Sequence, residues 1–147
     1  TALSTVVLAS DVTNNNASAN TIADVTGLSF SVTSGETYWF RFTIPYTSAA
    51  TTTGSRWSID GPGSPTLLNY TSTYTLTATS NTVNSATAYD IPAASNATSL
   101  TAGNVAVIEG IITPSSNGTL IARFASEVSS SAVVAKAGAL LQYYRVL

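Results

Sequence analysis

The sequence contains no cysteine and no histidine, and each absence excludes a class of chemistry. Without cysteine there are no disulfides and no thiolate metal sites. Without histidine there is no imidazole base, no imidazole metal ligand and no Ser-His-Asp triad. A serine nucleophile could then be activated only by a lysine base, and Lys136 is the only lysine of the chain. We expect Lys136 to be a solvated charge at a strand end.

Charged residues are also scarce, at 8% of 147 residues, against about 25% in an average soluble domain. The formal net charge is −2, and the five basic residues are scattered along the chain. A nucleic-acid surface needs clustered Lys and Arg, so the composition argues against nucleic acid as a partner. Few Glu and Lys residues also disfavour surface helices.

The apolar runs are too short to cross a membrane. Residues 105–112 are interrupted by Glu109, and residues 132–141 by Lys136. Neither run approaches the ~18–20 uncharged residues that a spanning helix requires. We therefore predict no membrane span. The better account of a charge-poor chain is a soluble protein whose surface is partly covered by identical neighbours.

Alternating side chains predict β-strands. The strongest pattern spans residues 38–44, where four large apolar side chains alternate with polar residues and Trp39. Pro45 is expected to end this strand, because it has no N–H for a ladder. Residues 28–32 also alternate, and a turn at Gly35 predicts a hairpin between the two strands.

A second hairpin is predicted about Asn117-Gly118, a favoured type I′ turn dipeptide, between strands at residues 105–112 and 119–124. Residues 11–20 read as a polar loop. Residues 80–104 hold few large apolar side chains, and form either an exposed functional loop or short strands. Other strands are predicted at residues 5–9, 22–26, 56–59, 67–79, 133–135 and 140–147.

No segment shows a helical period, and about eight to ten strands separated by turns are typical of a layered β protein. The predicted fold is all-β: an antiparallel, jelly-roll-like β-sandwich in which residues 1–147 form a single domain.

The charged residues set among strands are candidate contact residues. Glu109 and Glu127 border strands and are the best carboxylate pair for glycoside hydrolysis, which needs two carboxyls about 5–9.5 Å apart. The favoured expectation is instead pairing with Arg41, Arg123 or Lys136, either across strands or between subunits, because such charges usually have partners. We predict no catalytic site and no cofactor. Oxygen-only calcium binding stays open in principle, although the acidic residues are dispersed.

Trp39 lies opposite the apolar stripe of its strand. Aromatic residues in strands most often belong to the core. Trp39 is the exception, and it faces a second sheet, a neighbouring subunit or an exposed surface able to stack on a sugar.

Five segments resemble a family of small structural proteins from tailed bacteriophages and prophages. They are residues 103–110 (GNVAVIEG), 118–128 (GTLIARFASEV), 135–141 (AKAGALL), 38–44 (YWFRFTI) and 54–57 (GSRW). The resemblance implies a head decoration (cement) protein or a tail-fibre module on the virion surface. It implies a β-sandwich that forms a homotrimer, with copies of itself and a major capsid or tail protein as partners. No catalytic residues carry over.

Two alternatives stay open. One is an extracellular binding module, such as a tail-fibre tip or a bacterial adhesin domain, which recognises surface glycans through residues 47–55 and 80–104. The other is a depolymerase-like enzyme that uses Glu109 and Glu127.

Overall fold

The computed structural model describes residues 2–92 and 100–146, and within them the regular structure is entirely β. The strands are β1 (Ser4–Val7), β2 (Val12–Asn14), β3 (Ala23–Val32), β4 (Tyr38–Ser48), β5 (Ser55–Asp60), β6 (Leu67–Thr77), β7 (Ser80–Ala86), β8 (Asn104–Thr113), β9 (Gly118–Ser126), β10 (Val133–Ala135) and β11 (Leu140–Arg145).

The strands form two antiparallel sheets. The larger sheet has the order β1-β11-β4-β8-β6-β7, and β10 pairs with both β4 and β2 beside this path. The smaller sheet has the order β3-β9-β5. The predicted all-β antiparallel sandwich is therefore confirmed.

The core lies between the sheets and follows the alternation of the sequence. In β4, the even-numbered residues from Phe40 to Tyr46 are fully buried. They meet the smaller sheet, where the Trp57 ring lies 4.7 Å from that of Tyr46 and 4.9 Å from that of Phe124 between ring centroids. Burying each such side chain contributes about 1.5–3 kcal/mol. This packing leaves the odd-numbered residues of β4 on the outward face of the larger sheet.

The expectation that Pro45 ends its strand is wrong. β4 continues to Ser48, and Pro45 pairs with Val105 of β8. On the other side of β4 the neighbour changes at this point from β11 to β10, and the Pro45 carbonyl accepts from the Lys136 N–H at 2.9 Å. The proline nitrogen therefore faces the break between two strands, where no N–H is needed.

Both predicted hairpins are wrong, because each turn carries the chain from one sheet to the other. β3 pairs with β9 in the smaller sheet, whereas β4 pairs with β8 and β11 in the larger. Likewise β8 and β9 lie in different sheets. A type I′ turn needs positive φ at both central residues, and neither Asn117 nor Gly118 has one. The Asn117 carboxamide instead accepts from the Ser34 N–H at 2.8 Å and ties the two sheet-crossing turns together.

Three smaller features of the chain also differ from the sequence-based expectation. The strands expected on either side of Gly27 are one strand, β3, with an irregularity where Gly27 has a φ of 99°. The polar segment 11–20 contains the short β2. Of residues 80–104, the first seven form β7 in a hairpin with β6, and residues 93–99 lie outside the described residues.

Candidate functional site

The outward face of the larger sheet carries an uninterrupted row of uncharged side chains. The strand registers place one residue from each of six strands side by side. This uncharged row consists of Val7, Leu140, Thr43, Val107, Thr73 and Val83. Val7 is 56% exposed and Val83 is 65% exposed, and beyond the row Val105, beside Pro45, is 51% exposed. Apolar side chains thus cover one end of a solvent-facing sheet.

The adjacent row on the same face is polar and holds Arg41 and Glu109. The two are register partners across β4 and β8. Arg41 is exposed, and no ion pair involves it among the described residues. Glu109 instead accepts a hydrogen bond from the Trp39 indole, with Nε1 3.2 Å from Oε2. The structure therefore brings three of the predicted contact residues to one patch.

Trp39 faces outward and is half-buried, on the side opposite the apolar stripe. Its ring lies 5.3 Å from that of Tyr144, with the planes inclined by 34°. On the other side its register partner is Ile111 of β8. The indole is therefore held between neighbours, with its N–H directed to Glu109.

Beyond Glu109 the outward face deepens into a groove of about 570 Å³. Strands β6, β7 and β8 form its floor. Its lining combines polar side chains with apolar surface: Asn69, Thr71, Ser85, Thr87 and Glu109 lie beside Tyr70, Ala86 and Ile91. We call this the groove. Ser85, Ala86, Thr87 and Ile91 lie within residues 80–104, the segment that the glycan-binding alternative named. Asn69, Tyr70 and Thr71 are absent from the sequence-based candidates, because finding them requires the pairing of β6 with both β7 and β8. Alternation within residues 67–79 does indicate that Asn69 and Thr71 point away from the core.

Arg123 lies on the smaller sheet, within a cluster of carboxylates. Its guanidinium lies 2.6 Å from Asp90, 3.1 Å from Asp24 and 3.6 Å from Asp60. The 2.6 Å contact from Arg123 Nη1 to Asp90 is a charge-assisted hydrogen bond. Arg123 Nε forms an ion pair with the Asp24 carboxylate, but the geometry of this contact is not that of a hydrogen bond. Burial raises the pKa of the Asp90 carboxyl, and Arg123 opposes that shift. These partners belong to the same chain and are not those expected from the sequence.

Glu127 and Lys136 also have partners that the sequence did not indicate. Arg56 Nε lies 3.0 Å from Glu127 Oε2. Lys136 Nζ lies 2.7 Å from Asp11, with both side chains more than two-fifths exposed. Glu109, on the outward face of the larger sheet, and Glu127, which follows β9 of the smaller sheet, are not brought together.

The described residues offer no arrangement of three or more His, Cys, Asp or Glu side chains suited to a metal ion. They also include no helix of the length and hydrophobicity needed to span a bilayer.

No family model matches the chain, and no curated protein matches it. Among solved structures, the chain has a similarity to one from "Structure of infectious bursal disease virus Gx strain", with 7% sequence identity and a TM-score of 0.32. The match covers 97% of this chain and 38% of the viral chain, so this chain spans less than two-fifths of the viral chain's length. A score and an identity this low support no inference about function.

Proposed function

We propose that this protein is a structural module of a tailed-phage virion surface, a capsid decoration or fibre module that assembles as a homo-oligomer, with a trimer as the expected order. The observation that carries the proposal is the uncharged row on the outward face of the larger sheet. Such a module has no chemical step. It acts by burying surface against copies of itself and against a capsid or tail protein.

The composition of this face favours a covered surface. The solvated face of an antiparallel sheet is ordinarily polar, yet Val7, Val83 and Val105 are each more than half exposed here. A six-stranded face with strands of 10 or 11 residues at its centre measures about 24 by 33 Å. The uncharged row and Val105 occupy only part of this face, and the proposed interface is confined to that part.

The occupant that best fits this face is a second copy of the same chain. In a symmetric oligomer, residues near the axis meet their own equivalents, so like charges there repel. The row carries no charge and avoids this penalty. Of the predicted intersubunit residues, Arg123 and Glu127 are engaged within the chain. Arg41 is therefore the cation best placed to meet a carboxylate of another copy.

The test is the mass of the particle in solution. Wild-type protein should have three times the subunit mass by light scattering and native mass spectrometry. Val7→Lys combined with Val83→Lys would bring charges together at the interface and should yield single subunits. Val128→Lys changes an exposed residue outside the row, 39% exposed, and should leave the oligomer intact. Wild-type single subunits at millimolar concentration, or a double variant that still assembles, would overturn the assembly proposal.

The virion location has its own test. Proteomics of purified phage particles, followed by antibody labelling in electron micrographs, should place the chain on the head or the tail. Absence of the chain from intact particles would refute the virion assignment, whatever its oligomeric state.

A further inference from the structure

The groove offers polar groups that the fold itself does not use. Among the described residues, the side chains of Asn69, Thr71, Ser85 and Thr87 make no hydrogen bond to other protein groups. Glu109 uses Oε2 to accept from Trp39, and its side chain also lines the groove. Donors and acceptors thus converge on one space without internal partners.

The wall of the groove is held in place by the rest of the fold. The Asn84 carboxamide donates to the Ile91 carbonyl at 2.6 Å, and the Tyr70 hydroxyl donates to the Ala88 carbonyl at 2.7 Å. A wall fixed at two points lowers the ordering cost of binding. The volume of about 570 Å³ falls within the roughly 300–1,000 Å³ typical of ligand sites.

The chemistry of the lining selects the ligand class. Hydroxyl and amide groups exchange hydrogen bonds with sugar hydroxyls, and a carboxylate accepts strong charge-assisted bonds from neutral O–H donors. Ile91, 54% exposed, offers an apolar surface to the C–H face of a sugar ring. The lining contains no Lys or Arg, and its one charge is negative, so phosphorylated and acidic sugars are disfavoured.

We propose that this groove binds an uncharged saccharide, with Glu109 accepting hydrogen bonds from its hydroxyl groups and Trp39 positioning the Glu109 carboxylate. The inference does not rest on the assembly proposed above, because the groove is lined by the rows that contain Thr71 and Asn69, and none of its lining residues belongs to the uncharged row. Loss of oligomerisation and loss of saccharide binding are therefore separable results.

The experiment uses the full chain and titrates neutral mono- and disaccharides of glucose, galactose, mannose and N-acetylglucosamine. Sialyllactose and glucose 6-phosphate serve as the acidic sugars. Binding is followed by two-dimensional NMR, and at least one neutral saccharide should shift the resonances of Thr71, Ser85 and Ile91. Glu109→Gln keeps an oxygen for Trp39 but removes the charge, and should weaken binding by about tenfold or more. Ser85→Val should also weaken it.

Thr5→Val is the matched control. Thr5 lies in the same polar row at the opposite edge of the sheet, so its replacement should leave saccharide affinity unchanged. Four results would each overturn the proposal: no shift with any neutral saccharide, stronger binding of the acidic sugars, shifts that map outside the groove, or wild-type affinity in Glu109→Gln. Unchanged amide spectra away from the groove establish that each variant is folded.

Discussion

At the scale of single residues, the best-defined electrostatic feature is the guanidinium of Arg123 among Asp24, Asp60 and Asp90. One positive charge faces three negative charges, so Arg123 alone offsets the repulsion among the three carboxylates. Asp90 also has a positive φ of 56°, and its N–H donates to the Ile59 carbonyl at 2.9 Å. Arg123 therefore fixes the segment before the groove wall to the smaller sheet.

Arg123→Met should destabilise the protein by about 1–3 kcal/mol at pH 7. A fully buried pair costs about 3–5 kcal/mol to break, and the value is discounted here because Arg123 remains 20% exposed. Urea denaturation measures the loss. The loss of stability should be smaller at pH 3, because burial raises the pKa of the Asp90 carboxyl and this group then takes up a proton. An equal loss at both pH values would contradict this account.

The same substitution should raise the pKa of Asp90 further, since Arg123 now opposes the effect of burial. A raised folded-state pKa favours the folded state at low pH, and that contribution is lost as pH rises through the folded value. The pKa values of Asp11 and Glu36 shift in the opposite direction. Hydrogen bonds from Lys136 and from Tyr38, respectively, lower the pKa of each.

Asp11→Asn should therefore reduce the loss of stability in acid. The lowered pKa of Asp11 stabilises the folded state above the ordinary value of 3.8, and that contribution is lost as pH falls through the folded value. Denaturation curves between pH 2 and pH 6, compared with wild type, measure the difference. The prediction fails if the two proteins lose stability in parallel below pH 4.

At the scale of strands, Gly110 determines how closely β6 and β8 approach. A Cβ at this position would lie 2.5 Å from Tyr70 Cβ and 2.7 Å from Tyr70 Cα, with the Asn69 carbonyl closer still. These atoms belong to the floor of the groove, so the glycine shapes both the sheet and the site.

Gly110→Ala should destabilise the protein by about 3 kcal/mol or more, because backbone must move to admit the methyl group. Gly103→Ala is the matched control, since a Cβ there meets nothing within 4 Å. It should alter thermal unfolding little. Equal unfolding temperatures for the two variants would show that β6 and β8 can move apart without loss of stability.

Pro45→Ala should change stability by less than about 1 kcal/mol, because the proline nitrogen faces the break between β10 and β11. Thr43→Pro, two residues earlier and opposite Leu140 of β11, should cost about 3 kcal/mol or more by removing a ladder hydrogen bond. Chemical denaturation of both variants checks the contrast. A large loss in Pro45→Ala would mean that its ring is needed for packing.

The positions of most strands follow from the sequence, because alternation is a local property that each strand must satisfy to reach the core. The pairing of strands is not local. Gly35 and Asn117 each favour a turn, but a turn does not specify whether the chain returns to the same sheet or crosses to the other. The same limit applies to the site. Alternation predicts that Trp39 faces outward, but its bond to Glu109 depends on the register of β4 against β8.

At the scale of the whole molecule, the sandwich has an outward face with two regions of different character. The uncharged row and Val105 form an apolar region, and the neighbouring polar row with Glu109 borders the groove. Because the two regions share no residues, one face can serve self-assembly and ligand binding together.

Assembly through the uncharged row should be insensitive to salt. Contacts between apolar side chains are not screened by ions, whereas ion pairs weaken once the Debye length falls to about 3 Å at 1 M salt. The oligomer mass should therefore be the same at low salt and at 1 M sodium chloride, measured by sedimentation velocity. Dissociation at high salt would show that ion pairs, and not the uncharged row, hold the subunits together.

The central position of β4 has a consequence for biogenesis. Its neighbours in the sheet, β8 and β11, are synthesised long after it, and β1 finds its partner only when β11 has emerged. Until β8 has emerged, a ribosome-bound intermediate presents the aromatic stripe of β4 with both edges unpaired, and the edge toward β11 stays unpaired for longer. Such late, long-range closure is slow, in the millisecond-to-second range typical of β-rich topologies, and it exposes nascent chains to misassociation. Yield in the host should thus depend on how quickly the C-terminal segment is translated and how well chaperones shield that stripe in the interval.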